Sequence, residues 1–388
     1  MSSTAPARKV AVIGGGILGV STAVHLLREG ASVVLLTEAG LTSEASGRSL
    51  SWLNSAGERS TPYHQLRMAG VDRYRTLFAA DPSREWLQFG GGLMWNPAGQ
   101  AEATATRHQY ELNKGYDSKL LAPAEIASVA PGVDASAVPE NAIFNPGEGW
   151  VSLPDLVEFL MAEFHELGGE LVLNAGKASV VLDGGRAAGV QVASGAVHEA
   201  DAVLVACGAA TPSVVAPLGV EIPNGSPVSM LVITKPTDHG LVPVLNTPRA
   251  AVRPNPGNTL ALDHDWYEEN ITEHADGTFS IPDEVVQELA DEASQLIAGN
   301  PELKPASWKI GYKPIPGDGE PVFGELEKVP GCFVAFTHSG ATLGLIAGEL
   351  LASEILTGSR HPMLETFRPE RFAQPANNQP ANTGSPIR

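Results

Sequence analysis

The chain has 388 residues, of which 43% are hydrophobic and 18% charged, and it carries a net charge of −19 at pH 7. That composition belongs to a well-cored globular protein and exceeds one typical domain, so two structural units are expected. The negative surplus repels phosphate backbones and anionic lipid surfaces, which argues against nucleic acid as a partner but permits a local positive pocket for a small anion.

Residues 1–7 are small and polar and read as a frayed end. Arg8-Lys9 ahead of Val10 faintly imitates a signal peptide, but glycines fill the would-be apolar region and no small-residue cleavage site follows. Val10-Ala11-Val12-Ile13 reads as a strand running into Gly14-Gly15-Gly16-Ile17-Leu18-Gly19, and Ile17 to Arg28 then reads as a helix. In this G-x-G-x-x-G pattern Gly14 permits a tight turn, Gly16 lets backbone approach a pyrophosphate, and Gly19 lets helix pack on strand. The amides opening the helix, at Ile17 and Leu18, then hold the phosphates with the positive end of the helix dipole. Ser32 to Thr37 is a second buried-strand pattern ending at Glu38, an acid suited to a ribose 2′-hydroxyl and unsuited to a 2′-phosphate. These features predict an ADP-containing dinucleotide, FAD or NAD.

The polar segment Ala45-Ser46-Gly47-Arg48-Ser49 is expected to turn back over the cofactor. Pro62 to Phe78 reads as a helix and Gln88 to Trp95 as a strand leaving the nucleotide domain. Ser152 to Leu167 is an amphipathic helix with a stripe of Leu156, Val157, Leu160, Met161 and Phe164, stopped by Gly168-Gly169. Three strand patterns follow at 171–173, 178–182 and 188–192, with a hairpin turn at Asp183-Gly184-Gly185. Asp201 to Gly208 is a buried strand whose carboxyl end should face the ligand. Cys207 on it and Cys332 further on are the only cysteines. Both sit in apolar runs, as buried thiols of a reducing compartment do.

Between Ser226 and Asp263 alternating β-branched runs (228–234, 250–253, 259–262) predict an antiparallel sheet, hence a second unit. A helix at 282–298, a strand at 308–313, a turn-rich link at 314–321, a strand at 332–337 and a helix at 341–356 complete the pattern. The Pro/Asn-rich stretch 373–388 reads as disordered. No apolar run approaches the ~20 residues of a membrane helix, and the expected location is the cytoplasm. The 10 histidines show no metal-ligand spacing, so no metal is expected.

The fold class is therefore α/β: a discontinuous Rossmann-like domain at 1–80, 145–220 and 320–372, with a second domain at 81–144 and 221–319 built on an antiparallel sheet. A nicotinamide dehydrogenase usually keeps its nucleotide unit in one block, so the discontinuity favours a flavoprotein. The ordered set Val12–Gly19, Glu38, Val205-Ala206-Cys207-Gly208-Ala209-Ala210-Thr211, Gly311-Tyr312-Lys313-Pro314 through Gly324, and Thr337-His338-Ser339-Gly340-Ala341-Thr342-Leu343-Gly344 resembles the D-amino-acid oxidase superfamily.

That resemblance implies FAD, held by Gly14, Gly16 and Gly19 at the pyrophosphate and by Glu38 at the ribose. Ser46, Arg48 and their neighbour Ser49 would line pyrophosphate and flavin, and Val180 would give backbone contacts near the adenine. Gly208 would pass beside the cofactor. Ser339, Gly340, Thr342 and Leu343 would meet the flavin's pyrimidine end, where a helix start favours the anionic reduced ring. Relatives with covalent FAD use a cysteine or histidine where this chain has Ile310 or Ser46-Gly47-Arg48, so the FAD should be non-covalent. Many relatives also carry Arg-Pro where this chain has Lys313-Pro314, and lysine supplies charge without the bidentate fork.

Flavin chemistry on an amine requires orientation more than a protein base. Arg253 at a strand end and Lys313 are candidates for anion recognition, and His338 and Tyr312 for the border of the active site. His64 and Arg67, one helical turn apart, could share a pocket or a solvated face. Tyr267 could wall the pocket or fill the core, and Trp52 and Asn54 could lie under the flavin. The expectation is an FAD-dependent oxidase or dehydrogenase of a small amino acid or amine, passing electrons to oxygen or another acceptor. A non-catalytic FAD-bound assembly subunit and an NAD-dependent dehydrogenase are the alternatives, and the oligomeric state is left open.

Overall fold

The computed structural model describes residues 7–373. The expectations of a frayed start and a disordered tail fall almost entirely outside them. The chain divides into two compact units: residues 7–47, 153–227 and 312–373 form one, and residues 48–152 and 228–311 the other. The Pro62 helix and residues 145–152, read from sequence as part of the nucleotide domain, thus belong to the second unit.

The first unit is built on a six-stranded sheet in the order Val322–Glu325, Cys332–Phe336, Ala202–Val205, Lys9–Ile13, Ser32–Leu36, Glu170–Val172. All neighbours are parallel except the first pair. The register sets Ala11 beside Val34 and Val203, and Val203 beside Cys332. Side chains alternate across a strand, so these residues with Ile13, Leu36, Val205 and Val334 present one apolar face. It packs with Ala187, Val190 and Val192 of a hairpin and with Val215 and Ile222. The hairpin turns at Gly184 and Gly185, both at positive φ.

Two helices of this unit pack closely: Ile17–Arg28 and Gly340–Thr357. A Cβ at Gly348 would overlap Ser21, so glycine is what lets the two axes approach. Gly340–Thr357 has a mean hydropathy of 1.3 over 18 residues and is 67% buried within the protein. By length and composition alone it could cross a membrane, which the sequence reading did not anticipate. Its apolar character is accounted for by this packing.

The second unit carries an eight-stranded sheet in the order Pro305–Tyr312, Val228–Thr234, Thr259–Asp263, Ala251–Asn255, Val244–Asn246, Gly92–Met94, Ala142–Asn145, Lys119–Leu121. It is largely antiparallel, but Val244–Asn246 runs parallel to Gly92–Met94. The helix Asp283–Ser294 buries Val285, Val286, Leu289, Ala290 and Ala293 in a core shared with Val232, Leu245, Val252 and Leu262. A small sheet pairs Trp52–Leu53 and Leu87–Gln88 with Gly149–Val151. The single strand expected at 88–95 is two short ones, broken at Gly90-Gly91, where Gly91 has φ +85°. The helices Ala101–Asn113 and Pro123–Val129 had no counterpart in the sequence reading.

Candidate active site

In the first unit the glycine turn follows directly from its neighbours. Gly14 takes φ +121°, donates its N–H to Leu36 O at 2.8 Å, and lies where a Cβ would overlap Ala206 O. A Cβ on Gly19 would overlap Gly14 O, so the helix can begin this close to the strand only with hydrogen at that position. Gly16 is the N-cap of Ile17–Arg28 and has no side-chain cap. Its Cβ would come within 3.1 Å of Ser46 Oγ, which accepts the Ile17 N–H at 3.0 Å. An oxygen already occupies the place where an amide at the helix start seeks an acceptor.

Glu38 is exposed just past the Ser32–Leu36 strand. Cys207 likewise lies just past the strand Ala202–Val205, at the same carboxyl edge of the sheet, and burial, with the Glu38 charge, pushes its thiol up to about 12. Gly208, at φ +55°, follows there with open space where a Cβ would be. Val180 is half-buried in the hairpin strand Ser179–Asp183.

The second long helix opens at the same place. Ser339, buried, is its N-cap without a side-chain bond across the cap, Thr342 and Leu343 are buried behind it, and His338 just before it is exposed. A Cβ on Gly340 would lie 3.8 Å from Ile17 Cγ2. The N-termini of two helices therefore converge. Two positive dipole ends repel unless an anion lies between them, and a dinucleotide pyrophosphate with its attached ring system fits this cradle. Lys313, half-buried, donates its backbone N–H to Pro227 O at 2.8 Å, and Tyr312 beside it is 37% exposed.

The second unit holds the other candidates. Arg48 and Ser49 are half-buried, and the Arg48 guanidinium lies so close to Gly311 that a Cβ there would overlap it. Arg253 is 2% exposed. Its Nε donates to Leu50 O, its Nη1 to Pro254 O at 2.9 Å and Asn255 Oδ1 at 2.8 Å, and its guanidinium lies 5.0 Å from the Trp150 ring centre. The expectation that Arg253 recognises an anion is therefore corrected: its donors tether the Leu50 segment to the strand Ala251–Asn255. Tyr267 is fully buried with its hydroxyl on Met230 O and Asp263 Oδ1, both at 2.6 Å, which makes it core.

The same unit contains a buried polar network that motif reading missed. Glu148 accepts from Trp52 Nε1 at 2.7 Å and from Tyr116 OH at 2.5 Å. Burial, reinforced by the Glu111 charge, pushes its carboxyl up to about 8, while the Tyr116 and Trp52 hydrogen bonds and Arg107 pull the other way. Tyr116 OH also accepts the Ser55 N–H, and Ser55 Oγ meets His64 Nδ1 at 2.8 Å. Glu111 accepts from Gly57 N, Ser118 Oγ, Asn145 Nδ2 and Arg107 Nε. Arg67 is buried and donates to Asn54 O and Oδ1, so it does not belong to a solvated face.

A family model described as FAD dependent oxidoreductase matches residues 9–354. A D-amino acid dehydrogenase of Cereibacter sphaeroides is 30% identical over 215 residues, 53% of this chain and 47% of that protein. Glycine oxidase of Pseudomonas aeruginosa is 26% identical over 380 residues, covering 92% of this chain and 96% of that one. An L-amino acid deaminase from Proteus myxofaciens, solved in complex with anthranilate, superposes with a TM-score of 0.80 over 96% of this chain and 95% of its own, at 16% identity. The chain spans between about a quarter and a half of the length of the first curated relatives it matches. The choice between two dinucleotides falls to FAD, and the chain belongs to the D-amino-acid oxidase family of FAD-dependent oxidoreductases.

Proposed function

We propose that the protein oxidises the C–N bond of a small amino acid or related amine with non-covalently bound FAD. The observation that carries this reading is the convergence of two helix starts, at Ile17 and Gly340, beside Ser46 in a chain of this family. The printed activities of the relatives, a D-amino acid dehydrogenase and a glycine oxidase, support the substrate class.

In this reading Gly14, Gly16, Gly19, Ser46 and the Ile17 and Leu18 amides hold the pyrophosphate, Glu38 binds the ribose, and Val180 and Gly208 flank the adenosine. Arg48 and Ser49 line the flavin side, and the Ser339, Gly340, Thr342 and Leu343 amides stabilise charge at the pyrimidine end. When bound, FAD supplies the two-electron acceptor for the substrate's Cα hydride, leaving an imine that water hydrolyses. Lys313, Tyr312 and His338 orient the amine. The free thiols Cys207 and Cys332 suit a reducing compartment, the cytoplasm.

The test is an anaerobic bleaching screen of the purified yellow protein over D-amino acids, glycine, N-methyl amino acids, cyclic imino acids and amines without a carboxylate. Bleaching by at least one amine is expected, and peroxide release in air then separates oxidase from dehydrogenase. A flavin that stays oxidised with every amine would sink the proposal in favour of a non-catalytic FAD subunit.

A further inference from the structure

Lys313 opens a proline- and glycine-rich turn that runs to Glu320 outside helix and strand, all within the first unit. Such a stretch does not hold one shape by itself. Pro314 and Pro316 have no N–H to offer, and Gly317 and Gly319 add backbone freedom.

Residues 223–227 of the same unit supply the first set of bonds. Lys313 N donates to Pro227 O, Gly225 N to Ile315 O and Gly317 N to Pro223 O, each at 2.8 Å. Ile315 N donates to Ser226 Oγ at 3.0 Å, and Asn224 and Pro316 form an antiparallel bridge. The two stretches make a short ladder, and a close one: a Cβ on Gly317 would overlap Pro223.

Two side chains tie this ladder to the rest of the unit. At one end Asn224 Nδ2 donates to Ala209 O at 3.0 Å, beside Gly208, while Asn224 Oδ1 accepts from Ser226 Oγ at 2.6 Å. At the other end Arg371 grips Asp318 as a fork, Nε on Oδ2 at 2.8 Å and Nη2 on Oδ1 at 3.1 Å. The same Nη2 donates to Glu320 O at 3.0 Å, and Nη1 donates to Arg368 O at 3.2 Å. Arg368 is itself paired with Glu354 in the last turns of Gly340–Thr357. With 20% and 30% of their side chains exposed, Arg371 and Asp318 form a bidentate pair partly shielded from water.

We propose that this ladder is the mount of Lys313, and that Arg371 and Asn224 are positioning residues that fix where Lys313 meets the carboxylate of the substrate. Lysine carries a point charge on a flexible stem, so the precision of its aim has to come from the backbone that bears it. The part given to Lys313 rests on the amine-oxidation reading; the ladder and its two anchors do not.

Hydrogen exchange read by mass spectrometry, together with steady-state kinetics, tests this on the FAD-loaded full chain. Arg371→Gln should speed exchange across residues 313–320 and raise KM for an amino acid that bleaches the flavin, each about fivefold, as the loss of one partly buried bidentate pair implies. The kcat should stay within about twofold, Arg371→Lys should recover part of the KM, and the matching amine without a carboxylate should be unaffected. In a Lys313→Gln background Arg371→Gln should raise KM no further, because residues acting through one another are not additive. Asn224→Asp still accepts from Ser226 but cannot donate to Ala209 O; it should act in the same direction, and it serves if Arg371→Gln unfolds the end of the chain. Exchange unchanged in both variants, faster exchange with KM unmoved, or a KM effect that persists in full without Lys313 overturns the proposal. Faster exchange at 313–320 in a protein whose flavin no amine bleaches upholds the ladder and its anchors and sinks the reaction, and with it the part given to Lys313.

Discussion

Glu148→Gln removes a buried carboxyl whose proton the fold retains into the neutral range. The carboxyl is pushed up to about 8 in the folded chain against 4.5 when free, chiefly by burial. Between those values the native state binds a proton that the unfolded chain has released. Stability therefore falls with rising pH by ~1.4 kcal/mol per unit and levels off above about 8. From pH 5 to 7.5 the loss assignable to this group is ~3 kcal/mol. Glutamine keeps the shape: its carbonyl can accept the Trp52 N–H and its amide can donate to the Tyr116 oxygen, but it cannot ionise. Urea unfolding of the FAD-loaded protein at pH 5, 6, 7 and 7.5 should show the variant gaining on the wild type by that amount across the series. A difference that stays constant, or shrinks as pH rises, would refute the reasoning. It would mean that Trp52, Tyr116 and Arg107 keep the native carboxylate ionised throughout.

Gly19→Ala forces a methyl into the Gly14 carbonyl, and overpacking of about 1–3 kcal/mol at the helix start should weaken FAD roughly ten- to hundredfold, measured by fluorescence titration of the apoprotein. Gly348→Ala, which meets Ser21 further along the same helix pair, should lower the melting temperature while FAD affinity changes far less. Glu354 and Arg368 are 3% and 6% exposed and joined by two bonds of 2.6 and 2.7 Å; Glu354→Gln should cost up to about 3 kcal/mol in urea unfolding, because it leaves the buried guanidinium with only the exposed Glu365 carboxylate at 3.5 Å. Burial holds the Cys207 and Cys332 thiols up at about 12, so iodoacetamide at pH 8 should label neither until the chain is unfolded.

Features whose causes are local in sequence were legible. Gly14, Gly16, Gly19 and Glu38 lie within 25 residues, and the alternation of Ala11, Ile13, Val203 and Val205 is set by the strand itself. The second unit's polar interior was not legible, for a physical reason. Its parts come from three stretches far apart in sequence, Trp52 with Ser55, Glu111 with Tyr116, and Glu148, and no spacing rule links them. The helix Ala101–Asn113, which carries Glu111, buries only Thr104 and Glu111, so it has no apolar stripe to read. Arg253 was misjudged because its partner, Leu50 O, lies 203 residues away and leaves no trace in the residues around Arg253.

The interleaving of the two units has a consequence for how the protein is made. The Ile17–Arg28 helix emerges first, but its packing partner Gly340–Thr357 and the neighbouring strand Cys332–Phe336 come more than 300 residues later. At about 5–20 residues per second of synthesis, the growing chain exposes the apolar edge of Ala202–Val205 and the uncovered face of its first helix for tens of seconds. A chain cut short between residues 205 and 332 therefore carries a sheet with an open edge. The last strand Cys332–Phe336 thus closes an edge that the chain must keep from other chains until its synthesis is nearly finished.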